Sequence, residues 1–170
     1  WFIKPNRKPN RKDIPFVVLF GICNFALSYL CLYYATIMSS AAIVTLIFSL
    51  KVILTPIALR IFLKEKLHFR ILIGGILGVL GVCILIYPNI NSFKGFDDVK
   101  GIIMAILGTI LTAIGDASSA RNSKHKVNPV YANSIGFTAG SVLIGAIVLL
   151  QGEKLIFPTS ISYLSALLYL

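Results

Sequence analysis

The chain has 170 residues, 57% of them hydrophobic and only 13% charged, about half the charged share of an ordinary soluble domain. Its net charge is +10, but the bases lie in short stretches between long apolar runs, so membrane topology explains them better than nucleic-acid binding. A mean hydropathy of +0.88 excludes a water-soluble domain, whose apolar residues would fall in stripes of period 3.6 or 2. Here whole runs of about 20 residues are apolar on every face, the length that crosses a bilayer core. Backbone in lipid must satisfy itself, as helices or a closed barrel. The runs show no alternation, so the fold class expected is an all-α polytopic helix bundle. Cys23, Cys31 and Cys83 sit inside apolar runs without metal-ligand spacing and read as small hydrophobes.

In chain order, residues 1 to 13 hold Lys4, Arg7, Lys8, Arg11 and Lys12 against one acid, Asp13. Pro5 and Pro9 forbid regular helix there, and a solvated basic loop is expected. No small-residue cleavage site follows, so it is not a signal peptide; it reads as the tail of an earlier segment. The first span is expected at 15 to 36. Asn24, Ser28 and Cys31 share one face, and Tyr33 and Tyr34 suit an interfacial belt. A polar turn leads to the second span, 41 to 63, with Lys51 near its middle and Pro56 beyond. The loop 64 to 70 follows, holding Glu65 and His68.

The third span is expected at 69 to 87. Gly74, Gly78 and Gly81 share a face beside Gly75, a pattern that lets transmembrane helices approach closely. A polar loop, 88 to 100, precedes a fourth span at 101 to 120. The loop 121 to 128 carries Arg121, Lys124, His125 and Lys126, and a fifth span runs 129 to 150. A sixth starts near Ile161 and stops at Leu170, only about 15 Å of helix, so the chain reads as a fragment cut inside a helix.

With alternating sides, residues 1 to 13, 64 to 70 and 121 to 128 lie together, along with Arg60. That side carries twelve Lys and Arg residues; the opposite loops carry Lys94, Lys100 and Lys154. The imbalance places the first set in the cytoplasm.

The run ALSYLCLYYAT, a span ending IFLKEKL, and then FRILIGGILGVLGVCILI together resemble the EamA-type drug/metabolite transporter superfamily. The family pattern is a span ending in "LFLGE(R/K)" followed by a glycine-rich "GxxLxxxGV" span. Here these are Ile61 to Lys66 and Gly74 to Val82, with Lys64 in place of the family glycine. The resemblance implies a ten-helix transporter of two inverted five-helix repeats, working by alternating access. Residues 1 to 87 would be the C-terminal part of the first repeat, helices three to five. Residues 88 to 100 would be the inter-repeat loop. Residues 101 to 170 would be helices six, seven and a truncated eight. SYLSALLYL at 162 to 170 is similar to PFVVLFGI at 15 to 22, as a repeat requires. The family's cytoplasmic N-terminus agrees with the charge count.

Lys51 is the sharpest candidate. A charge at mid-bilayer costs about 3 kcal/mol, so it should face the bundle interior, where it could bind an anionic group of a solute or make a structural pair. Its face also holds Ser40, Val44, Phe48 and Thr55. The family more often has a small polar residue or proline near this position. Asp116 is the natural counter-charge and could carry a coupling proton; the alternative is an interfacial aspartate near Arg121. The depths of the two differ by about 8 Å at 1.5 Å per residue. Thr109, Thr112, Asp116 and Ser119 form one polar stripe. Tyr131, Ser134, Thr138, Ser141 and Gly145 form another, beside Gly136 and Gly140. The substrate-binding or coupling set expected is therefore Lys51, Asp116, Asn24, Thr55, Thr112 and Thr138.

No catalytic cluster stands out, and no cofactor or metal is implied. The partners expected are a small-molecule solute and the lipid bilayer, with a homodimer allowed. The function expected is secondary transport of small metabolites across the inner membrane, proton-coupled or by exchange. A membrane scaffold without transport is the alternative, with the intramembrane charges serving partner helices.

Overall fold

A computed structural model describes residues 7–64, 69–87, 96–152 and 165. Helix α1, Ile14–Met38, opens with Pro15 in its first turn, where the missing N–H costs nothing. From Ile22 to Leu27 it widens into a π-helix, which no periodicity in the sequence announces. Helix α2, Ala41–Leu63, is capped by Ser40, whose hydroxyl accepts from the Ile43 N–H at 3.3 Å. It is pinched at Leu50, ahead of Pro56. Proline offers no N–H to the Val52 carbonyl and its ring presses on that turn. The helix stops at Lys64, in the left-handed region with φ 53°. That conformation favours glycine, and Lys64 stands where the pattern quoted above has one.

Helices α3, Phe69–Ile86, α4, Phe96–Lys124, and α5, Pro129–Leu150, follow. Helix α4 is longer at both ends than the span expected at 101 to 120, and takes in part of the expected loop 88 to 100. Asn128 caps α5 by accepting from the Val130 N–H at 2.9 Å. Glu65, Lys66, His68 and the expected sixth span, apart from a helical Ser165, lie outside the described residues. Among the described residues four helices, α1, α2, α4 and α5, are long and apolar enough to cross a membrane.

Helix α4 is the centre of the bundle. It packs along α1 and along both parts of α2, while α5 leans on the first half of α1 and α3 packs on α2. Many of the buried residues are small, Ala26, Ala35, Ala105, Ala113, Ala117 and Thr109 among them, beside larger ones such as Phe20, Ile43 and Ile47. Many of the large apolar ones point outward, as with Ile61 at 71% exposed and Val130 at 70%. In water such a surface would aggregate; in lipid it is the favourable solvent face, and small residues at the contacts bring backbones together. The chain is an all-α multi-pass membrane protein.

Glycines set these approaches, but not the ones the sequence reading chose. Gly74, Gly78 and Gly81 face open space, and only Gly75 is packed, against Ile53. The working ridge lies on α4, at seven-residue spacing. Gly101 meets Ala35 and Ser39, Gly108 meets Ser28 and Leu32, and Gly115 meets Asn24. A second contact joins the backbones of Gly21 on α1 and Gly136 on α5, and Gly140 abuts the Gly21 carbonyl.

The basic end is tied by Asp13, which is 2% exposed rather than part of a solvated loop. Its carboxylate accepts from the Asn10 N–H at 3.0 Å, pairs with Arg7 at 2.8 Å and with Arg121 at 3.3 Å. Arg121 also lies over the Phe16 ring, 3.7 Å from its centre. Arg7 continues the tie through its backbone. Its N–H donates to the Lys126 carbonyl and its carbonyl accepts from the Asn128 N–H, both at 3.0 Å. Beneath these contacts Val17, Val127 and Ala132 form a small apolar cluster. The Asn10 N–H and the two guanidinium groups hold the Asp13 carboxyl below its ordinary value.

Two outcomes are expected in detergent unfolding experiments. Gly21→Ala should destabilise by about 1–3 kcal/mol, because its methyl meets backbone that cannot yield, whereas Gly78→Ala should be near neutral. Asp13 has a depressed folded-state pKa, so its stabilisation is present above the unfolded-state pKa and is lost as pH falls through the folded value. Wild type should therefore exceed Asp13→Asn in stability at neutral pH, with the gap closing in acid below the ordinary carboxylate range.

Candidate functional site

Three helices converge on the carboxylate of Asp116. Lys51 Nζ on α2 reaches Asp116 Oδ2 at 2.9 Å. Thr55, one turn after Lys51 and so on its face, donates to the same oxygen at 3.4 Å. Asn24 on α1 donates from Nδ2 to Oδ1 at 3.1 Å. The depth offset is closed by the length of the lysine side chain, and Asp116 pairs with Lys51 rather than lying beside Arg121, which is taken by Asp13.

Local backbone features make the meeting possible. Asn24 lies inside the π-helical stretch, whose extra residue per turn shifts its direction relative to an ordinary helix. Gly115 leaves room for it: a methyl there would meet the Asn24 side chain at 3.1 Å. Ser28 donates to the Asn24 carbonyl at 2.8 Å. Lys51 begins the second part of α2, just after the pinch at Leu50. It sits 5.5 Å from the centre of the Phe48 ring, a distance at which the ring face attracts a cation.

The pair is not sealed. The side chains of Lys51 and Asp116 are 33% and 25% exposed, and they open on a wide, shallow hollow of about 460 Å³ whose walls include Phe48, Ser49, Val52 and Pro56. That volume lies within the range that holds a small ligand. The walls are mostly apolar, with one cation, one anion and a flat ring.

Of the residues expected from sequence, the structure brings together Lys51, Asp116, Asn24 and Thr55. Thr112 lies one turn from Asp116, but its hydroxyl donates to the Gly108 carbonyl at 2.9 Å. Thr138 lies on the outward face of α5 and donates to the Ser134 carbonyl at 2.8 Å. With Ser134, Ile135 and Ala139 it edges a separate, shallow hollow; the face of α5 that packs inward is Ala132, Gly136 and Gly140. No group of three or more potential metal ligands occurs among the described residues.

Sequence reasoning missed Asp13 and its arginines. The available signal was a single acid between a basic run and an apolar one. It also missed the ridge Gly101, Gly108 and Gly115, which repeats at seven residues in plain sight.

Comparison with known proteins agrees with this architecture. The model of the EamA-like transporter family matches residues 1–87. An uncharacterized transporter of Archaeoglobus fulgidus is 25% identical over 131 residues, which cover 77% of this chain and 45% of that protein. The chain thus spans less than half the length of that curated relative. No solved structure matches.

A double-mutant cycle should find Lys51 and Asp116 coupled. Lys51→Met and Asp116→Leu each strand a charge in a low-dielectric setting, while the double variant strands none. The double variant should be more stable than the sum of the singles by about 1–3 kcal/mol, read by unfolding in detergent.

Proposed function

Since the chain belongs to the EamA-like transporter family, we propose that it is part of a secondary transporter that moves small metabolites by alternating access, with the Lys51–Asp116 pair as its charged midplane site. The observation that carries this reading is the ion pair itself, held by three helices inside apolar spans and open to a cavity. Ionisable groups within a membrane bundle mark solute or proton paths, and transporters of inverted-repeat design bind near the midplane.

In this reading residues 1 to 87 end the first repeat, 88 to 100 link the repeats and 101 to 170 begin the second. Residues 1 to 13, 64 to 70 and 121 to 128 are cytoplasmic, and the membrane is the inner cell membrane. Lys51 contributes attraction for an anionic or zwitterionic solute. Asp116 is the group that could exchange Lys51 for a proton. Protonation removes its negative charge and with it the hold on Lys51, which then turns to the solute. Asn24 and Thr55 keep the carboxylate in place through either state. The scaffold reading loses its main ground, because Lys51 finds its counter-charge within the chain.

The test is uptake by the full-length protein in proteoliposomes, with labelled organic anions and zwitterions, with and without a proton gradient. Lys51→Ala and Asp116→Asn should each lower initial uptake at least roughly tenfold in protein that inserts normally, which corresponds to about 1.4 kcal/mol or more. Unchanged uptake in both variants would overturn the assignment.

A further inference from the structure

The Asp13 clasp stands apart from the Asp116 site, yet it ties the same two helices. Asp13 lies just before α1 and Arg121 in the last turn of α4. Asn24 on α1 and Asp116 on α4 make the deeper tie. Between the two ties, α1 carries Gly21, set backbone to backbone against Gly136 of α5. Such a contact has no side chains to interlock and can serve as a pivot. The clasp end is held differently. Its contacts are two ion pairs, a backbone bridge, a hydrogen bond from Arg7 Nε to the His125 carbonyl and an arginine on a ring, with Val17, Val127, Ala132 and the partly buried Ile135 as apolar filling.

We infer that the Arg7–Asp13–Arg121 clasp is the cytoplasmic gate of the transport path, closed in this structure and released when the solute leaves or enters on that side. The inference rests on the transport reading above for its orientation and its purpose.

The chemistry suits a reversible closure. The ion pairs and the backbone bridge are polar contacts, so water can replace them when the helices part. An apolar seal of the same size would lose its burial energy outright. Behind the clasp, Asn122 is 3% exposed, and neither its amide nitrogen nor its amide oxygen has a partner among the described residues. Such an amide can bind water once the helices part. The clasp also joins residues assigned to different repeats, the elements that must move against each other in alternating access.

The test uses the full-length protein with Cys23, Cys31 and Cys83 replaced by serine or alanine. Ser118→Cys, at a fully buried position on α4 near Arg121, is labelled from the cytoplasmic side with a membrane-impermeant maleimide. Thr109→Cys, buried deeper on the same helix, is the control. Adding Asp13→Asn should speed labelling at Ser118→Cys by roughly tenfold or more, since it removes the charge that holds both Arg7 and Arg121. The control should stay unlabelled. Equal rates with and without Asp13→Asn overturn the gate. So does labelling of the control, which would mean that the variant has come apart.

In a second arm, Asp13→Cys and Arg121→Cys are joined by a short thiol-cleavable cross-linker. Uptake should stop, and return when the link is reduced; uptake by the linked protein overturns the gate. If the parent protein takes up nothing from the solutes offered, the transport reading fails, and the labelling arm alone decides whether the clasp opens.

Discussion

A carboxylate placed among lipid-facing helices has to be satisfied from inside the bundle. Water is absent from the bilayer core, and each unmet polar group there costs several kcal/mol. Asp116 meets this demand with a lysine from α2, a threonine from the same face and an asparagine from α1. The requirement fixes much else. Helix α4 must run between α1 and α2, its surface must be small enough for both to come close, and α1 must turn Asn24 toward it. Gly115 provides the space, and the π-helical stretch at Ile22–Leu27 accompanies the turn.

The same economy governs the packing. Helices in lipid gain no hydrophobic advantage from touching one another, so contact depends on close fit. Three glycines a heptad apart on α4 take the α1 backbone, and two glycines on α5 take it from the other side. Helix α1 is gripped between them, with Val17 and Phe20 buried and Tyr29, Tyr33, Tyr34 and Ile37 facing outward. Two polar clusters stand out among the described residues: the one around Asp116 within the apolar spans and the Asp13 clasp at the basic end. Both clusters bridge α1 and α4, so any movement of one helix past the other must be registered by both.

The spans were legible because lipid is a strict solvent. A run of about 20 apolar residues has one meaning, and the bounds of α1, α2 and α5 follow from Pro15, Ser40 and Pro129 at their starts. Lys51 and Asp116 announced themselves as charges in apolar surroundings. The glycine contacts were harder to assign. Gly74, Gly78 and Gly81 have the spacing of a packing face, but spacing shows only that a close approach is permitted. Which neighbour takes it is decided by the other helices. Thr112 and Thr138 failed to join the carboxylate for a related reason: a threonine in a helix can satisfy its hydroxyl on the preceding turn, as both do here.

By itself, then, the sequence determined that the chain is a multi-pass helical membrane protein and where α1, α2 and α5 begin, and it marked Lys51 and Asp116 as charges inside apolar runs. Those follow from local transfer energies and local backbone chemistry. Only the tertiary structure decided which charge meets which. Arg121 went to Asp13, 108 residues away, and Asp116 to Lys51 and to Asn24, 92 residues away. Pairing across such separations depends on which helices adjoin and how each is turned, and single-residue preferences carry no record of either.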